Sequence, residues 1–256
     1  MNRTLVFTKR NLLEMSRDAL SYIFCIAFPI VMLVIMSVVN ASIPKEAGVT
    51  IFRIDNLAGG IAIFGQTFVM LFTAINVAKD RSGSFLVRLY ASPMKGRDFA
   101  LGYILPMIAV ALVQVLISFT AAVIVAFVSD TEIEIRGLLI AAVAVLPSAL
   151  MFTATGFLTG TLFNEKAAPG ICSIIISLGS FIGGIWFDVD STGGVMLDIS
   201  RCTPFYYATK TARSAIHMDF TYGGFAVPLI IVTASALALT ALAVWVFERR
   251  MRTDMA

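Results

Sequence analysis

KDRSGSFLVRLYASPMKGRDFALG, residues 79–102, separates two stretches of nearly unbroken apolar sequence and carries five of the nineteen basic residues of the chain. Gly83 interrupts whatever helix precedes it, Ser84 is suited to cap a new one, and Ser92-Pro93 ends it, because the residue before a proline is pushed out of the helical region. A short helix over Phe85 to Tyr90 follows from this punctuation. On it Phe85 and Leu89 lie one turn apart, as do Leu86 and Tyr90, with Arg88 on another side. An apolar face on so short a connecting helix must be covered by neighbouring helix ends, by the lipid interface or by a groove on a soluble partner. Asp98 then stands near the start of the next helix, where the macrodipole favours negative charge.

The flanking sequence sets the class. Hydrophobic residues make up 59% of the 256, charged residues 14%, and the mean hydropathy is +0.90, far from the averages of water-soluble domains. A bilayer core about 30 Å thick needs about 20 predominantly apolar residues per helix. Six stretches satisfy that: Tyr22 to Val39, Gly59 to Ala78, Tyr103 to Val128, Leu138 to Phe163, Ala167 to Phe187 and Gly224 to Phe247. None alternates apolar and polar residues as a membrane barrel strand does, so an all-α membrane protein of six transmembrane helices is expected, as a single domain over 1–256. The first stretch lacks a small-residue cleavage pattern and reads as a retained helix.

Basic residues flanking membrane helices stay on the cytoplasmic side. Arg3, Lys9, Arg10, Arg17, Lys79, Arg81, Arg88, Lys95, Arg97, Lys166, Arg249, Arg250 and Arg252 fall on one side of the six-span arrangement, and Lys45, Arg53, Arg136, Arg201, Lys210 and Arg213 on the other. Both termini and the 79–99 loop are therefore expected in the cytoplasm. Over residues 1–20, Leu5, Leu12, Met15 and Ala19 share one helical face opposite Arg3, Arg10 and Arg17, the pattern of an amphipathic helix lying in the membrane interface. The 188–222 connection is too apolar for a solvated loop and reads as short helices folded back into the outer leaflet, with the aromatics of Pro204-Phe205-Tyr206-Tyr207 at the interface.

Polar residues inside the spans are sparse. Gln66, Thr73 and Asn76 on the second span, and Ser173, Ser177 and Ser180 on the fifth, are candidates for a substrate path. Close helix packing through small residues is the alternative for the fifth-span stripe, and Gly156-x-x-x-Gly160 and Gly179-x-x-x-Gly183 point to it too. Pro29, Pro106 and Pro147 read as packing kinks. Ionisable groups are missing from the central portions of the spans, which disfavours an ion-coupled carrier. No nucleophile is paired with a base, so no catalytic residue is expected. Cys25, Cys172 and Cys202 are scattered and His217 is the only histidine, which excludes a metal framework from the sequence. A nucleic-acid partner is not expected, since no basic cluster with interleaved aromatics stands outside the spans.

Two motifs carry a family resemblance. GSFLVRLYASPMKGRDFALG resembles the coupling-helix region of type-2 ABC exporter permeases, with Asp80, Arg81, Gly83, Leu86, Leu89, Ser92 and Pro93 on the pattern and Ser84 in place of the usual threonine. CTPFYYATKTAR, residues 202–213, resembles the Pro-x-x-Tyr-Ala segment that precedes the last span of that family. The resemblance implies a second permease chain, most simply a homodimer, and an ATPase subunit that grips Asp80, Arg81, Gly83, Phe85, Leu86, Arg88, Leu89, Tyr90, Ser92 and Pro93. It also implies export of a hydrophobic or amphiphilic substrate across a bacterial cytoplasmic membrane. ATP and magnesium then belong to the partner and this chain holds no cofactor, in keeping with the missing G-x-x-x-x-G-K-[ST] loop. A non-transporting scaffold, an immunity or sensing protein, or a channel remains an alternative.

Overall fold

The computed structural model describes residues 3–44, 48–83, 94 and 96–254, and all regular structure among them is helical. Helix α1 (Arg3–Met15) is followed by α2 (Ala19–Tyr22), which runs through a π-helical turn, Ile23–Ala27, into α3 (Phe28–Ser42). Next come α4 (Ile54–Ser82) and α5 (Gly96–Val128), then α6 (Ile135–Ala144) and α7 (Leu146–Leu162) in immediate succession, and α8 (Ala168–Ile182). Three short helices, α9 (Val189–Thr192), α10 (Gly194–Arg201) and α11 (Pro204–Ile216), precede a second π-helical turn, Tyr222–Ala226, that leads into α12 (Val227–Asp254).

Proline placement explains most of the breaks. Pro29 and Pro228 each stand two residues after a π-helical turn. A proline ring clashes with the carbonyl four residues back, and widening the preceding turn relieves that clash. Pro147, near the start of α7, coincides with the 40° bend that divides the expected fourth span at Val145. Pro106 lies inside α5, which continues through it.

Among the described residues, four helical stretches are long and apolar enough to cross a membrane, Ile23–Ser42, Ile54–Ser82, Gly96–Val128 and Tyr222–Met251, and α6 with α7 makes a fifth if the bent pair counts as one crossing. The fifth expected span, Ala167 to Phe187, is shorter than its sequence suggests. Helix α8 has 15 residues and ends at Gly183, so at 1.5 Å per residue it reaches about 22 Å, less than the hydrocarbon thickness.

One helix organises the rest. In α4, 83% of the most apolar stretch is buried, against 17% in the first and last spans. A helix apolar all round is surrounded by others, and α3, α5, α7, α8 and α11 all pack on α4. Its closest neighbour is α7, where the sequence motif Gly156-x-x-x-Gly160 does its work. A Cβ at Gly156 would lie 2.2 Å from the Met70 carbonyl oxygen, and one at Gly160 would lie 2.5 Å from that of Ala74. Small residues let two backbones meet at van der Waals distance, the main source of helix association in lipid, where no hydrophobic gain is available. Gly179 makes a similar fit by seating the Phe205 ring.

A side chain at Gly160 has nowhere to go, whereas a Cβ at Gly170 meets nothing within 4 Å. Gly160→Val should therefore lower stability by about 1–3 kcal/mol through overpacking, read as an earlier thermal melt and loss of a monodisperse peak in detergent. Gly170→Ala should melt within about 0.5 kcal/mol of the wild type.

Candidate functional site: the loop end of helix α4

Helix α4 ends at Ser82, and the Gly83 amide closes the last turn by donating to the Lys79 carbonyl. The expected short helix, with Phe85, Leu86, Arg88, Leu89, Tyr90, Ser92 and Pro93, lies outside the described residues. What leads into it is resolved in detail. Asp80 is 8% exposed and turned toward α1 and α5. Its Oδ2 accepts from Arg10 Nη1 at 2.8 Å and from the Tyr103 hydroxyl at 2.7 Å, and its Oδ1 accepts from Arg10 Nη2 at 3.4 Å. Arg10 also pairs with Glu14 at 2.7 Å. Burial alone lowers the pKa of the Arg10 guanidinium, but the hydrogen bond and the charge of Asp80 outweigh it and the net shift is upward. The guanidinium therefore holds its charge more firmly than an isolated side chain would.

The fork that joins α1 to α4 is backed by aromatic packing. Phe7 meets Tyr103 edge-on at 5.1 Å and Phe99 at 5.7 Å, and it occupies the space a side chain at residue 102 would take, since a Cβ on Gly102 would lie 2.1 Å from its ring. Asn11 donates to the Gly102 carbonyl at 2.9 Å. Phe157 and Phe247 complete the cluster, 5.1 Å apart. The docked face of α1 is thus Phe7, Asn11 and Met15, all buried. Of the apolar face expected from the helical wheel only Met15 points inward, while Leu5 and Leu12 are exposed. The spacing of Phe7, Asn11 and Met15 was visible in the sequence, but the asparagine concealed it.

Arg81 points another way. Its Nη1 donates to the carbonyls of Gly160 at 3.2 Å and of Thr161, at the end of α7 where the backbone has carbonyls without helical partners. Ser82 donates to Glu165 Oε2 at 3.1 Å. The last turn of α4 is therefore tied on one side to α1 and α5 and on the other to the turn between α7 and α8. Asp80 and Arg81, expected as contacts for a partner, are engaged inside the chain.

The expected substrate-path residues separate into groups. Gln66 is fully buried, its amide donating to the Val145 carbonyl at 3.3 Å and its Oε1 accepting from Ser148 at 2.7 Å. Val145 is the residue at the bend between α6 and α7, and its carbonyl, which already receives the Ala149 amide at 3.0 Å, takes the Gln66 amide as a second donor. Thr73 is buried and bonded to the Val69 carbonyl at 2.7 Å, and Ser180 is buried and bonded to that of Ile176 at 2.6 Å. Ser173 and Ser177 lie on the exposed side of α8. Asn76 lines a small crevice beside Asn11, Lys79, Asp80 and Tyr103. Gln114, singled out by no sequence motif, fills the space a side chain at Gly65 would need and donates to Ser118 at 3.0 Å.

The chain is thus a bundle of apolar helices around one buried central helix, whose loop end is clamped to a docked N-terminal helix. The family model described as ABC-2 type transporter matches residues 2–217, and the chain belongs to that family. ABC-2 permeases are non-catalytic, multi-pass membrane components that normally work with an ATPase subunit. No curated protein matches the chain.

Removing the carboxylate takes away the tie between Arg10 and α4 and leaves Arg10 bonded to Glu14 and Asn11 of its own helix. Asp80→Ala should release α1, raising amide exchange over residues 3–15 well above that of the wild type. Tyr103→Phe, which deletes one hydrogen bond, should cost about 0.5–1.5 kcal/mol. Exchanging the charges, Arg10→Asp with Asp80→Arg, should recover much of the protection lost in Asp80→Ala, as hydrogen exchange with mass spectrometry can determine.

Proposed function

We propose that this chain is the membrane permease of an ATP-driven exporter in a bacterial cytoplasmic membrane, moving a hydrophobic or amphiphilic substrate outward. The single observation that carries the reading is the way α4 joins the bundle core to the 79–99 loop without a break. In this reading α5, α12 and the bent pair α6 and α7 cross the membrane with α3 and α4, and α8 completes a sixth crossing with the turn that follows it. Both termini are cytoplasmic, and α1 lies along the inner interface with Leu5 and Leu12 toward lipid. Two copies form the path, and each loop seats Phe85, Leu86, Arg88, Leu89 and Tyr90 in a groove on an ATPase subunit, where ATP and magnesium are bound.

The ties around Asp80 and Arg81 then acquire a mechanical role. A helix anchored only by apolar contacts would slide when pushed at its end, because such contacts are non-directional. A forked arginine–carboxylate pair fixes orientation as well as distance. Closure of the ATPase dimer, acting on the short loop helix, moves α4 together with α1, α5 and the end of α7 as a block, and nucleotide binding thereby biases the two membrane conformations. The buried central portion of α4, residues 56–78, carries no ionisable side chain, which favours cargo handled by shape and apolar contact over cargo handled by charge.

The test combines capture and uncoupling. The tagged chain, purified from its native membrane, should bring down an ATP-hydrolysing protein, and the reconstituted pair should expel an amphiphilic dye only with ATP. Arg88→Glu with Leu89→Ser should insert normally yet reduce dye efflux by about tenfold or more, the scale of typical coupling energies. Undiminished efflux in that variant would overturn the docking role, and a selective current without nucleotide would identify a channel.

A further inference from the structure

At the end of the bundle opposite the 79–99 loop, a cavity of about 300 Å³ opens between the end of α8, the start of α9 and one face of α11. Its walls carry both signs of charge: Asp188, Asp190 and Asp219 on one hand, Lys210 and Arg213 on the other. None of these carboxylates forms an ion pair with either cation. The Asp188 carboxylate caps α9, accepting from the Ser191 amide and hydroxyl, Asp190 accepts from the Tyr206 hydroxyl at 2.6 Å, and Asp219 accepts from the Thr221 amide at 3.2 Å. Lys210 lies over the Tyr206 ring with its Nζ 3.2 Å from the phenol oxygen.

Arg213 is built into the floor. Its Nε donates to the Asn56 carbonyl at 3.1 Å and its Nη2 to that of Ile185 at 3.3 Å. The glycine pair Gly59 and Gly60 makes room for it, since a Cβ on Gly59 would come within 3.1 Å of Arg213 Cγ and one on Gly60 within 3.2 Å of Nη2. Burial lowers its pKa to about 10 against the opposing pull of Asp188, Asp190 and Asp55. With Asp188, Asp190 and Asp55 close enough to be felt but none in ion-pair contact, a guanidinium bonded to two neutral carbonyls has no direct counter-ion to offset its partial loss of water. An anionic ligand group supplies it. On the acidic side, no three His, Cys, Asp or Glu residues among those described converge closely enough to hold a metal ion, which leaves an organic cation as the natural complement.

We propose that this cavity binds a small zwitterion, its anionic group on Arg213 and Lys210 and its ammonium facing Asp188, Asp190 and Asp219. The size fits, since about 300 Å³ is the lower end of the range for small-molecule sites. Opposite charges fixed a short distance apart select for a ligand carrying both, and either half alone leaves one side of the cavity without its complement. Two sources share this chemistry: the headgroup of a zwitterionic phospholipid and a water-soluble zwitterion. The site does not depend on the ATPase coupling proposed above, because binding at this end requires no nucleotide.

Calorimetric titration of the purified full-length chain in detergent, with O-phosphoethanolamine as the probe, tests the assignment. The probe should give saturable heat, and inorganic phosphate and ethylammonium should each bind about tenfold or more weakly, the loss expected when one charged partner is absent. Lys210→Gln and Asp190→Asn, neither of which removes Arg213, should each weaken the probe by a similar factor while melting at the wild-type temperature. Saturable heat that disappears once the chain is in phosphatidylethanolamine nanodiscs, but persists in phosphatidylglycerol nanodiscs, assigns the site to a lipid headgroup. Heat that persists in both assigns it to a soluble ligand. Absence of saturable heat, phosphate binding as tightly as the zwitterion, or unchanged affinity in both folded variants would overturn the proposal.

Discussion

The close approach of α4 and α7 at Gly156 and Gly160 is the constraint from which the remaining architecture follows. In lipid, two helices gain little by hiding apolar side chains from each other, so association depends on backbone proximity and on the dispersion contacts it permits. The Met70 and Ala74 carbonyls occupy the space where side chains on α7 would stand. With α7 seated there, α4 has no face left for lipid, and α3, α5, α8 and α11 close around it. A central helix so enclosed accepts polar residues only if they are satisfied within the bundle. Gln66, Thr67 and Thr73 all are.

The same demand explains how the bend between α6 and α7 is tolerated. Pro147 prevents α6 and α7 from continuing as one helix, and the Val145 carbonyl at the bend receives both the Ala149 amide and the Gln66 amide. A glutamine in the middle of an apolar sequence therefore serves the backbone of a neighbouring helix. At the loop end the logic is electrostatic, with Arg10, Asp80 and Tyr103 joined across three helices and an aromatic cluster beneath them.

Much of this was legible in the sequence because membrane segments are written in long apolar runs. The first, second, third and last crossings stand where hydropathy puts them, extended by a few residues at their ends. The glycine spacing on α7 announced close packing correctly, and Gly83 marked the end of α4. Other features were hidden because they depend on partners distant in the chain. Proline 147 could be read as a kink, but a kink and a division into two helices share one sequence signature. The wheel drawn for α1 ranked side chains by hydropathy and so favoured Leu5 and Leu12, whereas the helix docks by shape, through Phe7 into the gap left by Gly102. Asp80 and Arg81 look like surface charges in a polar loop. Only the fold brings Arg10, seventy residues away, within reach of Asp80.

Helix α4 is 29 residues long, a stiff member of about 43 Å, and both of its ends carry fixed arginine contacts. Arg213 holds one end at Asn56, and Arg10 grips the other through Asp80. A rigid rod pinned in this way makes its two extremities thermodynamic correspondents. If a molecule lodged beside Arg213 favours one tilt of the rod, that tilt is also the one preferred by whatever holds the loop, and reciprocity requires each occupant to alter the other's affinity by the same factor.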